Sequence, residues 1–308
     1  MPDLIEIVPL DQPVYAKITV PGSKSITNRA LILAALADGE VALKGALWSE
    51  DTQVMTEALK TLGFLAKVEN DPDEFCNRTI TVRGLGGRIP VTGTAEKPVE
   101  LFVGNAGTAA RFLAAFVCLG NGVYRLSGVP RMHERPQAAL FQALRELGYR
   151  VEAENGNDKL PVRIFGSSGS GRRDESQMEI ESQRLPASSP AKKSCRVSIE
   201  ESSQFASALL LSARPGGWQV EITGENADES PYVAMTSKLM EVFPWSGGAF
   251  QIEPDASSGS YFWAADWVLW ISRINQEMDQ ITVRNWPDSG WQIDADYPKY
   301  LKGVRPQT

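Results

Sequence analysis

One pattern recurs along the chain and limits what it can fold into. A short polar or glycine-bearing start runs into an Ala/Leu/Phe-rich helical stretch four times. The copies are SKSITNRALILAALADG from Ser23, GNAGTAARFLAAFVCLGNG from Gly104, ESSQFASALLLSARPGG from Glu201 and ASSGSYFWAADWVLW from Ala256. The first three close on glycine, as helix C-termini commonly do. A second helix is expected after each of these three: SEDTQVMTEALKTLG from Ser49, HERPQAALFQALRELG from His133 and ESPYVAMTSKLMEVF from Glu229. Each has a polar or proline start. The β-rich runs EVALKGAL, GVYRLSGV and WQVEITGE separate the paired helices, and FLAKVE and YRVEAE follow the first two pairs. The unit reads strand, helix, strand, helix, strand, strand, which implies an α/β fold with helices laid on sheets.

The fourth copy begins near Ile252. ITVRNW follows its helix as a strand, and DADYPKYLKG opens a second element. The text stops at KGVRPQT before closing strands, so an incomplete last unit is expected. Residues 166–194, GSSGSGRRDESQMEIESQRLPASSPAKKS, break the pattern and read as a flexible surface insertion.

Composition narrows the function. A net charge of −7 argues against general affinity for nucleic acid or an anionic membrane. Cys76, Cys118 and Cys195 are scattered and fit a reducing, cytoplasmic setting rather than a disulfide framework. No zinc spacing exists, and His133 is the sole histidine, so no metal site is expected. The acidic start MPDLIEIVPLDQP is not a signal peptide. YFWAADWVLWI is too short to span a bilayer and carries Asp266.

The helix starts themselves are unusual. A helix N-terminus carries unsatisfied N–H groups and partial positive charge, and it suits a phosphate or carboxylate. Gly22, Ser23, Ser25, Gly107, Thr108, Ser202 and Ser203 are small enough to let backbone approach such a ligand. Lys24 and Arg29 oppose the dipole of an empty helix start and become favourable once an anion sits there. Arg111 and Arg131 extend the positive set, and arginine grips carboxylate or phosphate in two-pronged fashion. Any one of these starts could be an ordinary cap. Their recurrence at three helices, with four cations nearby, favours a ligand carrying several negative charges. A P-loop and a clean strand–GxGxxG–helix are both absent, which disfavours ordinary nucleotide binding.

PGSKSITNRALILAALADG, GNAGTAARFLAA, VPRMHERP, ESSQFASALLLSA, ESPYV and DASSGSYF occur in the order that resembles the 5-enolpyruvylshikimate-3-phosphate synthase family. The resemblance covers nearly the whole chain outside residues 166–194. It implies an enolpyruvyl transferase-like two-domain fold of repeated βαβαββ units with the second domain incomplete. Residues 16–251 would form the complete domain, and residues 1–15 with 252–308 the partial one. It implies transfer of the enolpyruvyl group of phosphoenolpyruvate to the 5-hydroxyl of shikimate 3-phosphate, with release of phosphate, in the shikimate pathway to chorismate and aromatic amino acids. No cofactor, nucleic acid or membrane is implied, and the complete protein would be a monomer.

By motif, the resemblance gives Lys24, Arg131 and Gln204 catalytic roles. Lys24, Ser25, Arg29, Ser202, Ser203, Gln204 and Tyr232 would hold shikimate 3-phosphate. Lys24, Asn105, Gly107, Thr108, Arg131 and Gln204 would hold phosphoenolpyruvate, with Gly107 leaving room for the herbicide glyphosate. Asp51 matches an acidic position near the hinge. Two positions depart from the pattern: Glu229 stands where the family often has serine, and Phe112 where A-x-R-P has proline. By this resemblance the family's catalytic aspartate and several charged groups of the second domain would lie beyond Thr308. Two alternatives are a non-catalytic binding protein for shikimate 3-phosphate and a UDP-N-acetylglucosamine enolpyruvyl transferase. The Ser-Lys-Ser start, ESSQ and Tyr232 count against the second.

Overall fold

The computed structural model describes residues 14–72, 74–167, 193–225, 230–271 and 281–302, together with Glu6 and Val8. In chain order the elements are β1 (Ala16–Ile18), α1 (Lys24–Leu36), β2 (Glu40–Leu47), α2 (Glu50–Thr61), β3 (Ala66–Asn70), β4 (Asn77–Arg83), β5 (Val99–Phe102), α3 (Gly107–Phe116), β6 (Val123–Ser127), α4 (Pro130–Glu134), α5 (Ala138–Glu146), β7 (Arg150–Ala153), β8 (Val162–Phe165), β9 (Lys193–Ser198), α6 (Ser203–Gly216), β10 (Trp218–Thr223), α7 (Ser230–Val242), β11 (Gly248–Gln251), α8 (Ala256–Ile271), β12 (Ile281–Val283) and α9 (Tyr297–Lys302). Most of the expected insertion lies outside the described residues. Its ends are tied down: the Gly166 and Ser167 N–H groups donate to the Gly122 and Gly120 carbonyls, and Lys193 opens β9.

Contacts divide the chain into two units. One is Gly22–Ile252; the other joins Met1–Pro21 to Glu253–Thr308. Residues 16–21, given to the larger domain by the sequence reading, fall in the smaller unit because β1 pairs in parallel with β12.

The larger unit holds three sheets. The first has the order β11-β2-β4-β3 and the second β5-β6-β8-β7, each with one parallel pair and two antiparallel pairs. The third has two described strands, β10 and β9, in parallel. The third repeat therefore differs from the expected βαβαββ unit. After α7 the chain contributes a single strand, β11, and that strand leaves to complete the sheet of the first repeat.

The core follows from the helix compositions. Every residue of α1 from Ile26 to Leu36 is buried. A helix that is apolar nearly all round belongs in an interior, and each of Leu31, Ile32 and Leu33 contributes about 1.5–3 kcal/mol by leaving water. α3 packs on α6, and α1 on both. Entry to α1 needs a glycine: a Cβ at Gly22 would sit 1.9 Å from the Gly45 carbonyl oxygen, at the point where the β2–β4 register shifts. The Gly22 N–H donates to Asn77 Oδ1 at 2.9 Å.

In the smaller unit α8 packs on β12. Buried Asp266 accepts the Ile281 N–H at 2.9 Å, which explains an acid inside an apolar helix. The expected second element after ITVRNW is a short 3-10 turn, Ile293–Asp296, running into α9. No helix among the described residues is long and apolar enough to cross a membrane.

Candidate functional site

The helix starts differ in a way that separates structural ends from ligand-facing ones. α2 begins conventionally, with Glu50 and Asp51 in its first turn and the Ser49 N–H donating to Thr52 Oγ1 at 2.9 Å. α1 and α3 have no acidic residue in the first turn and no side-chain cap. Neither start therefore carries the first-turn acid or side-chain cap that usually offsets the positive end of a helix. α6 is capped weakly by Ser202, whose Oγ accepts the Gln204 N–H at 3.3 Å.

Arg29 lies one turn into α1 and is only 2% exposed. Its Nε donates to Thr236 Oγ1 (2.7 Å), Nη1 to the Ser25 carbonyl (2.9 Å), and Nη2 to Ser207 Oγ (3.1 Å) and the Tyr232 carbonyl (3.4 Å). Beneath it lies the buried ring of Phe112, 5.3 Å from the guanidinium carbon. Phe112 thus occupies the proline position of the motif as a cation–π floor. Every hydrogen-bond acceptor is neutral, and no carboxylate pairs with Arg29 among the described residues. Burial lowers its pKa to about 10, with a smaller opposing influence from Tyr232.

A second cluster adjoins the first through α3 and α6. Arg111 Nη1 donates to Gln204 Oε1 at 2.6 Å, and Nη2 to the Pro136 carbonyl at 3.3 Å. The Arg111 guanidinium rests over Phe205, 5.1 Å from the ring centre. Gly107 opens the cradle. A Cβ there would lie 2.6 Å from Arg135 Nη1 and 3.3 Å from Arg111 Nη1, so two guanidinium groups converge on bare backbone at the start of α3. Asn105 is exposed, Thr108 half-buried and Ser203 buried.

Arg135, not Arg131, supplies the nearest atom to the Gly107 Cβ position. Arg131 sits exposed on α4, with no hydrogen bond or ion pair to another described residue. The reason is local. Pro136 cannot donate and holds the residue before it out of the helical region. Arg135 accordingly has φ −69° and ψ 140°, the short helix ends, and α5 starts afresh at Ala138 rather than running from His133. His133 Nε2 accepts the Gly128 N–H at 3.1 Å and fixes the preceding turn. The sequence signal for this break is the Arg-Pro dipeptide in VPRMHERP.

Of the other expected residues, Lys24 Nζ stands 3.4 Å from Asp51 Oδ2, so Asp51 is the charge partner of that lysine. Tyr232 contributes its carbonyl to Arg29. Glu229 lies outside the described residues. Ser207 and Thr236 were not anticipated. Each sits four residues after an expected one, Ser203 and Tyr232, on the same helix face, and Thr236 Oγ1 donates to Ser207 Oγ at 2.9 Å.

The model of the EPSP synthase (3-phosphoshikimate 1-carboxyvinyltransferase) family matches residues 9–189. The chain belongs to this family. The 3-phosphoshikimate 1-carboxyvinyltransferase of Trichormus variabilis is 37% identical over 284 residues, covering 85% of this chain and 59% of the relative. That of Opitutus terrae is 38% identical over 289 residues, covering 87% and 60%. The Nostoc punctiforme enzyme is 34% identical over 342 residues, covering 98% and 71%. Among solved structures, EPSP synthase from Acinetobacter baumannii superposes with a TM-score of 0.59 at 20% identity, over 85% of this chain and 55% of that one. The α/β architecture is therefore the enolpyruvyl transferase fold. The chain spans about three-fifths of the length of the first two curated relatives.

Proposed function

We propose that Gly22–Ile252 supplies the anion-binding face of an enolpyruvyl transferase that joins phosphoenolpyruvate to the 5-hydroxyl of shikimate 3-phosphate and releases phosphate. The observation that carries this is Arg29, a buried cation with only neutral acceptors, beside two uncapped helix starts. Desolvating a guanidinium without a counter-charge is unfavourable, and an arriving carboxylate offsets that cost.

In this reading Arg29 and Ser25 take the shikimate carboxylate against the Tyr232 side of the pocket. Ser202, Ser203 and Gln204 at the start of α6 take its phosphate. Lys24 and the Gly107 cradle, flanked by Asn105 and Thr108, take phosphoenolpyruvate. Arg135 replaces Arg131 as the clamp there, since Arg135 is the guanidinium that approaches Gly107. The 5-hydroxyl oxygen adds to C2 of phosphoenolpyruvate while C3 gains a proton. The 5-hydroxyl gives up its proton in that addition; the tetrahedral adduct then loses phosphate from C2 and a proton from C3, which restores the double bond. Donors held in advance around the phosphate and carboxylate oxygens stabilise this adduct without reorganising. The reaction as proposed uses no metal or organic cofactor. A reducing compartment suits Cys76, Cys118 and Cys195, which are all thiols.

Phosphate release and equilibrium binding test the two halves of this reading on the 308-residue chain. Release that needs both substrates and disappears in Lys24→Ala is the expected result. A folded chain that binds without release removes the transfer step from this chain; one that does neither overturns the whole reading.

A further inference from the structure

The three sheets of the larger unit are not equivalent, and the difference leaves an edge open. In the first sheet β2 has β4 as an antiparallel neighbour, and in the second β6 has β8. The corresponding strand of the third sheet, β10, has β9 on one side and, among the described residues, nothing on the other. Among the described residues no strand takes that place, and β11 pairs with β2 instead. The other edge is blocked: the Arg196 N–H of β9 donates to Glu146 Oε2 at 3.0 Å. An exposed row of unpaired N–H and C=O groups templates another strand.

We propose that the open edge of β10 pairs antiparallel with the same edge of a second copy of this chain. The strand reads Trp-Gln-Val-Glu-Ile-Thr from Trp218 to Thr223. Trp218 is buried and Val220 and Ile222 half-buried on the helix-covered face; Gln219 and Glu221 are exposed on the other. A two-fold axis through Val220 makes this pattern self-complementary. Val220 meets its own copy, Trp218 stands opposite Ile222, and Gln219 stands opposite Glu221. The apolar face continues across the junction, and an amide meets a carboxylate on the polar face. Shifting the axis by one residue to Glu221 would oppose two carboxylates. Arg196 Nη2, 3.1 Å from Glu221, already holds the charge of that carboxylate on the polar face.

A single pair of short strands buries little surface, so the dimer is weak and concentration-dependent. This departs from the monomer expected of the complete protein, and it is independent of the ligands.

Sedimentation velocity over a concentration series of the full chain tests the pairing. Gln219 is exposed, so its substitution leaves the core untouched, and matching thermal melts check this. A monomer–dimer equilibrium is expected. Gln219→Glu should raise its dissociation constant at least about threefold, and Gln219→Lys should lower it by a similar factor, because each opposed pair occurs twice across the axis. A strictly monomeric chain at high micromolar concentration overturns the proposal. So does a dimer indifferent to both substitutions, which would use another surface.

Discussion

At the scale of single residues the site turns on two guanidinium groups and one missing Cβ. Gly107→Ala would drive a methyl into Arg135. Phosphoenolpyruvate binding should weaken roughly tenfold, about what losing one charge-assisted contact costs, while shikimate 3-phosphate binding stays within about twofold; calorimetric titration of each ligand checks this. Arg135→Ala should likewise weaken phosphoenolpyruvate binding at least about tenfold and Arg131→Ala barely at all. Equal effects would contradict the assignment. Arg29 makes a pH prediction. Its folded pKa is depressed to about 10 by burial, so above that pH the unfolded chain holds the proton more firmly. The unfolded state then binds more protons, and stability rises with pH on this account. Relative to Arg29→Met, the wild type should gain stability as pH climbs through about 10, measured by urea unfolding of both. Sequence reading nominates Lys24, Arg29 and Gly107 because each stands in a helix-start motif, and the structure puts each at the start or in the first turns of α1 or α3. It names Arg131 and not Arg135, whose approach to Gly107 depends on where α4 ends.

At the scale of elements, the repeat made the helices and most strands legible. EVALKGAL is β2 over the same residues, and the second helices from Ser49 and Glu229 begin one residue later, at Glu50 and Ser230. The helix expected from His133 is divided at Pro136, a local break that the periodicity of AALFQALREL conceals. That break has a functional reading. Pro136→Ala frees Arg135 to turn helical and should weaken phosphoenolpyruvate binding about three- to tenfold with little loss of stability, as a shift in melting temperature and binding isotherm would reveal. Entry to α1 is less tolerant. Gly22→Ala puts Cβ against the Gly45 carbonyl and should destabilise the chain by more than about 3 kcal/mol, read by chemical denaturation. The destination of β11 was not legible. β11 is not among the strands read from the sequence, and tertiary pairing sends it to β2.

At the scale of the whole molecule, the sequence reading put a first boundary near residue 16, and contacts divide the chain at Pro21 and Gly22. The strand at Ala16–Ile18 carries no signal of its partner, since Ile281–Val283 lies far along the chain. The candidate site falls entirely within Gly22–Ile252, so its central property can be measured on this chain as it stands. The most direct measurement is calorimetric titration of shikimate 3-phosphate into the wild type and into Arg29→Met, with melts confirming that both are folded. The expected result is one-to-one binding by the wild type and a loss of at least about tenfold in the variant, as removing a buried ionic partner requires. No binding by the folded wild type, or equal affinity in both, would contradict Arg29 as the buried charge that receives the ligand.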